Sequence, residues 1–266
     1  MPSVRLFWMA LLPVWMWAQV HYARLDPYQS YAIKAAYAGT VVAADDGLEG
    51  KTANAQVVVQ IEDVVDRAQK RAIETTIETL EKTLAITRRM VENQQTVFKK
   101  DRDYYRRILP LKTKSRTEKD RVFSTMIASQ NQLLNLQEKI ATLEKQLADA
   151  KAQRIALKDR IEKKRITVPG LYIYKVAVRA GDYVAPGKLL LTAMDLRKGR
   201  LVLYLDPDEM KGIEKKRIYL DGKPTDWRFE KIIRVADEKH ISSYRAEIVV
   251  PKPEGLFSRL LKIEIK

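Results

Sequence analysis

Side chains able to do covalent or acid–base chemistry are few and scattered. Two histidines, His21 and His240, stand near opposite ends of the 266-residue chain. A metal centre needs three or four converging ligands, and a catalytic triad needs a nucleophile, a base and an orienting acid; this spacing supplies neither. The chain has no cysteine, which excludes disulfides, thiolate nucleophiles, thiolate metal sites and a lipid-bearing N-terminal cysteine. The adjacent carboxylates Asp45-Asp46 and Asp208-Glu209 fall in turn contexts, where solvated charges are expected. No glycine-rich phosphate loop is present. Met1, Met9 and Met16 lie in or beside an apolar N-terminal run, so the methionines form no metal-export motif. The inventory points away from catalysis, cofactors and resident metals, and toward binding or spacing.

Charge narrows the partners. The formal net charge is +15, a value that suits nucleic acid or an anionic membrane surface. Lysine and arginine run through every segment and mostly alternate with acids, as in Glu81-Lys82 and Glu144-Lys145, the pattern of solvated helix faces. Nucleic acid is therefore not an expected partner, whereas anionic headgroups are. Leu6 to Val20 carry no charge and follow Arg5. The run is short for a spanning helix, but Trp8, Trp15 and Trp17 suit the membrane interface. Pro13 argues against a buried soluble helix. The segment reads as an uncleaved anchor or a cleaved signal peptide, and the lack of a clean small-x-small site around Ala18 and Ala23 favours the anchor. Either way the remainder is exported.

The middle of the chain must be helical. From Glu62 to Leu109 there is neither glycine nor proline. Ile77, Leu84, Val91, Phe98 and Tyr105 recur every seven residues, beside a second series of Ile73, Leu80, Thr87, Gln94, Asp101 and Ile108 that is polar at its centre. That polar centre suggests local loosening or a partner. After Leu109-Pro110-Leu111-Lys112-Thr113-Lys114-Ser115, a second helix repeats the spacing through Val122, Ser129, Leu136, Leu143, Ala150 and Leu157, beside Met126, Leu133, Ile140, Leu147, Arg154 and Ile161. Pro110 ends the first helix, and Ser115 with Glu118 matches a capping box for the second. The break is too short to hold a domain, so the helices fold back as an antiparallel coiled coil with a reach of roughly 70 Å.

Short β-strands flank this hairpin, in AAYAGTVVAADDGLEGKTANAQVVVQIED before it and ITVPGLYIYKVAVRAGDYVAPGKLLLTAMDL after it. An antiparallel hairpin returns the chain to its start, so the two flanks can pair into one β domain. Ile166-Thr167-Val168-Pro169, followed by Val178-Arg179-Ala180-Gly181-Asp182-Tyr183-Val184-Ala185-Pro186-Gly187-Lys188-Leu189-Leu190, resembles the second lipoyl half of the membrane fusion proteins, the periplasmic adaptors of hemolysin-secretion and multidrug-efflux type. Gly39-Thr40-Val41 is similar to the first half, although the usual glycine turn there is replaced by Asp46-Gly47-Leu48-Glu49-Gly50-Lys51.

The resemblance implies an α+β protein: a long antiparallel α-helical coiled-coil hairpin inserted in a split lipoyl-like (biotinyl-lipoyl) β domain, followed by a small β-barrel domain, with an N-terminal membrane segment. The expected divisions are 1–25 for the anchor or signal, 26–61 for the first lipoyl-like half, 62–165 for the hairpin with its tip about 109–117, 166–198 for the second half and 199–266 for the barrel. Gly39, Pro169, Gly181 and Gly187 are expected at lipoyl-like turns. No cofactor is implied, because the hairpin occupies the turn that carries the modified lysine in lipoyl carriers. The implied partners are an inner-membrane transporter, an outer-membrane channel, further copies in a trimer or hexamer, and membrane lipid through the N-terminal segment. Around the tip, channel-docking members carry an Arg, Leu and Ser set. Arg107, Leu111 and Ser115 keep that order with a shorter second interval, which implies a cation, an apolar knob and a hydroxyl offered to a helical groove. The residues alone leave Arg107 as an ordinary solvated side chain and Ser115 as a helix cap.

Overall fold

The computed structural model describes residues 19–235, 241–253 and 255–266. The segment bearing Trp8, Trp15 and Trp17 lies outside them, as does His240. In chain order the elements are β1 (Gln19–Lys34), β2 (Gly39–Ala44), β3 (Val59–Ile61), α1 (Val64–Ile108), α2 (Arg116–Lys163), β4 (Arg165–Ile166), β5 (Tyr172–Val176), β6 (Tyr183–Val184), β7 (Leu189–Leu205), β8 (Ile218–Leu220), β9 (Lys223–Pro224), β10 (Phe229–Ile233), β11 (Tyr244–Pro251) and β12 (Leu260–Ile265).

Two β units result, each around its own core. In the first, a sheet of order β4-β3-β2-β6 packs on β5, β7 and the second half of β1. Val41, Ile61, Ile173, Leu190 and Leu191 lie at its centre. The chain leaves this sandwich at β3 and returns at β4, where Val59 faces Ile166 and Gln60 faces Arg165 in an antiparallel ladder. The split domain is thus rejoined directly beneath the hairpin. In the second unit, strands in the order β10-β11-β7-β1-β12-β8-β9 curl around Leu25, Leu201, Leu203, Leu205, Ile248 and Ile263. Its end strands β9 and β10 form no ladder with each other, so the expected barrel is an open one.

The domain limits differ from the sequence expectation at two places. Gln19–Arg24 pair with Leu260–Ile265, whereas Leu25–Lys34 pair with β7. The expected division at 25/26 therefore falls inside one strand of 16 residues. The division at 198/199 likewise falls inside β7, 17 residues long. Both strands run unbroken from barrel to sandwich. Gly199 sits where they cross the boundary, and a Cβ there would stand 2.7 Å from Leu25 Cδ1. A register shift between Pro27 and Gln29 absorbs the missing donor of Pro27 as a bulge.

The turn residues divide into two kinds. Gly170, Gly181 and Gly187 all have positive φ. Each closes a tight turn, with Leu171 N–H donating to Val168 O, Asp182 N–H to Arg179 O and Lys188 N–H to Ala185 O. Pro169 and Pro186 precede two of these glycines, the arrangement of a type II turn. Gly39 does not belong with them. It opens β2 opposite Val184, and a Cβ on it would lie 2.7 Å from Ile61 Cγ2. Glycine is needed there for close packing rather than for turning.

Candidate functional site

The hairpin is the feature to which both β units are subordinate. Its helices of 45 and 48 residues reach about 70 Å at 1.5 Å per residue. Ile77, Leu84, Val91 and Ile108 of α1 are buried against Val122, Leu143 and Ala150 of α2, as heptad seams require. The polar centre is closed rather than loosened. Thr87 is buried with its hydroxyl donating to Thr83 O, and Gln94 Nε2 donates across the hairpin to Ser129 O at 3.0 Å.

At the tip, Ile108 is buried while Leu109 and Leu111 stay exposed. Tyr105 and Phe123 rings meet at 5.4 Å just below. Ser115 caps α2, its hydroxyl accepting from Glu118 N at 3.2 Å. The capping box is half formed, because the Glu118 carboxylate is taken by Lys114 Nζ at 2.8 Å. Lys119 Nζ donates to Leu109 O, satisfying an end carbonyl of α1. Arg107 is exposed and has no ion-pair partner among the described residues. The cation, the apolar side chain and the hydroxyl expected at the tip therefore occupy one end of the hairpin, with Ser115 also holding the cap.

The base is built differently, from charges that the sequence did not single out. Lys164, the residue after α2, is buried and places Nζ 2.6 Å from Asp66 Oδ2 and 2.8 Å from Glu62 O. Arg160 reaches the second oxygen of Asp66 at 3.3 Å and lies over the Tyr37 ring at 5.4 Å. Tyr37 hydroxyl donates to Asp159, which also pairs with Lys163; Lys163 first, then Tyr37, hold the Asp159 carboxyl below its ordinary range. These contacts join the first turn of α1, the last turn of α2 and the bend between β1 and β2 that carries Tyr37. Their signal in sequence is weak, since charges at helix ends usually read as solvent-facing.

The hairpin surface carries two apolar stripes. Met90, Val97 and Tyr104 recur every seven residues on α1, with Ile86 beside them, and all are exposed. Each of the three precedes a seam residue by one position. On α2, Phe123 and Leu134 are exposed and Ile127 is half-buried. Phe123 follows the seam residue Val122 just as Glu144 follows Leu143. Glu144 and Lys151 pair with Arg88 and Glu81 across one flank of the seam, so the α2 stripe lies on that flank and the α1 stripe on the other. The Tyr105–Phe123 and Gln94–Ser129 contacts set both stripes at the same level. A second heptad series in the sequence was the available signal.

In the open barrel, Glu209 corrects an expectation. It is not a solvated turn charge: its side chain is buried, accepting from His21 Nε2 at 2.7 Å and from Asp206 N at 2.7 Å. His21 is therefore a barrel residue. Among the described residues no three His, Asp or Glu side chains gather as a metal site would require, and no helix is long and apolar enough to cross a membrane.

No family model and no curated protein matches the sequence. Solved structures do match the fold. A chimeric MacA–MexA protein, containing the Pseudomonas aeruginosa MexA α-hairpin domain, aligns with a TM-score of 0.61 at 11% identity over 94% of this chain and 81% of its own. MacA from Actinobacillus actinomycetemcomitans aligns with a TM-score of 0.60 at 12% identity over 94% and 78%. The membrane fusion protein Spr0693 from Streptococcus pneumoniae R6 aligns with a TM-score of 0.52 at 10% identity over 93% and 97%. A hairpin inserted in a split β-sandwich, itself joined to an open barrel by two continuous strands, gives this chain the fold of the membrane fusion proteins.

Proposed function

We propose that the chain is a periplasmic adaptor subunit of a bacterial export or efflux system, without enzymatic activity. Its N-terminal segment anchors it to the inner membrane, its β units engage an inner-membrane transporter, and its hairpin reaches an outer-membrane channel. The observation that carries this reading is a hairpin of about 70 Å, clamped at its base by buried charges and left with an exposed tip of Arg107, Leu109 and Leu111. A rod built this way transmits position rather than chemistry.

Assembly follows from the stripes. They lie at one level on opposite flanks, so α1 of one copy meets α2 of the next in a heterologous contact, which closes into a ring when the rotation allows. A trimer or hexamer is such a ring.

Arg107→Asp tests the docking role of the tip. Because Arg107 is exposed and makes no ion pair among the described residues, the variant is expected to keep the thermal midpoint of the parent while export falls. Unchanged export would remove Arg107 from the docking surface. Cross-linking in the native membrane tests the wider reading, and recovery of self-contacts alone would leave a coiled-coil membrane scaffold instead.

A further inference from the structure

The unpaired ends of the barrel sheet frame a cavity of about 1080 Å³ between β8–β9 on one side and β10 on the other. Its apolar floor is the half-buried Trp227, Phe229 and Ile232, packed over Ile213 and Ile218 of the barrel core. Six cations line it against three carboxylates. One of those carboxylates, Glu230, accepts a hydrogen bond from Tyr28 at 3.1 Å. Lys216 Nζ is used on Glu209 O. Lys215, Arg217, Arg228, Lys231 and Arg234 make no ion pair among the described residues. Three other barrel cations, by contrast, are held by buried carboxylates: Lys262 and Lys266 by Glu264, and Arg245 by Glu247.

We infer that this cavity binds an anionic phospholipid. Unmatched cations at the rim recognise a phosphate headgroup. The half-buried Phe229 and Ile232 beneath them meet acyl chain, and an indole such as Trp227 suits the boundary between the two. Charge at the rim over apolar surface is the complement of an amphiphile rather than of an acidic peptide, which would leave the floor uncovered. The lipid source rests on the proposed reading, because β1 leads directly from this barrel to the N-terminal segment.

The test uses the full chain with Trp8, Trp15 and Trp17 changed to Phe, so that Trp227 is the one remaining tryptophan of four. The protein is reconstituted in phosphatidylcholine vesicles to which acyl-brominated phosphatidylglycerol or acyl-brominated phosphatidylcholine is added at equal mole fraction. Brominated phosphatidylglycerol is expected to quench Trp227 more strongly. The triple variant Arg217→Gln, Arg228→Gln, Lys231→Gln should lose the difference while keeping its unfolding midpoint, because each cation near an anionic surface contributes about fivefold and three contribute about 100-fold. Equal quenching by the two lipids overturns the proposal, as does a difference that survives in the triple variant. Inorganic phosphate shifting Trp227 emission without any lipid difference would make this a phosphate site only. A poly-glutamate peptide shifting it without lipid quenching would assign an acidic protein segment, and both results overturn the lipid. Export is not read in this assay, so its failure leaves the adaptor proposal to the Arg107 test.

Discussion

Removing one partner of the charge clamp at the hairpin base should cost more than removing both. Asp66 and Lys164 have side chains only 7% and 11% exposed and meet at 2.6 Å. In Asp66→Leu the Lys164 ammonium stays buried with one carbonyl, Glu62 O, as its remaining acceptor. Breaking a buried pair in this way costs about 3–5 kcal/mol. Lys164→Met is milder, about 2–3 kcal/mol, because Arg160 still reaches Asp66 at 3.3 Å. Replacing both by apolar residues of similar volume is often near neutral, so Asp66→Leu/Lys164→Met should recover most of the loss, with a coupling of about 2 kcal/mol or more. Urea unfolding of the four proteins measures this, with unchanged m-values showing that the folded and unfolded surfaces are preserved. Additive single effects, or single variants within about 0.5 kcal/mol of the parent, would refute the clamp. The functional consequence is geometric: a 10° tilt at the base of a rod of about 70 Å moves its tip by about 12 Å.

Three further outcomes are expected. Val97→Glu and Leu134→Glu, on opposite flanks, should each weaken self-association about 30-fold by burying a charge in the lateral contact; sedimentation reads this, and an effect from one variant only would exclude the heterologous arrangement. Gly39→Ala should destabilise by about 1–3 kcal/mol through overpacking on Ile61, measured as a lower urea midpoint, whereas a turn glycine with positive φ would be rescued by Asn and Gly39 should not be. Glu264, held by Lys266 and then Lys262, has its pKa lowered from 4.5 to about 2. Its stabilising contribution is thus complete above pH about 4.5 and lost as pH falls toward 2, so the gap in thermal midpoint between the parent and Glu264→Gln should close across that window; a gap constant with pH would show that the pair does not act through charge.

The hairpin was legible because its cause is periodic. Seven-residue spacing from Ile77 to Tyr105 and from Val122 to Leu157 specifies a seam whichever neighbours it has, and the burial of Ile77, Leu84, Val91, Val122, Leu143 and Ala150 follows. At Gly170 and Gly187 the cause of the turn is local, a positive φ that glycine tolerates. Gly39 was misread because its cause is a methyl group of Ile61, distant in sequence. The barrel role of Gln19–Arg24 was missed for a related reason. Residues up to 25 read as the anchor or signal, whereas the strand starts at Gln19 and continues through a bulge after Pro27 to Lys34. Glu209 read as solvated because the turn that holds it is visible in sequence and its partner His21 is not.

Those missed features are the ones that make the molecule mechanically continuous. A linker between barrel and sandwich would let each move on its own. Instead β1 and β7 cross the boundary side by side, with Gly199 allowing Leu25 to pack between them. Their ladder is interrupted at the crossing, between Pro27–Gly199 and Gln29–Asp195, so a bend between barrel and sandwich is confined to that bulge. The sandwich in turn grips the hairpin through β3, β4 and the Asp66–Lys164 pair. A displacement imposed on the barrel therefore reaches the tip through two compliant places, the bulge at the crossing and the partly exposed group of Arg160, Tyr37 and Asp159 around that pair. Loosening at either place should uncouple tip position from the barrel.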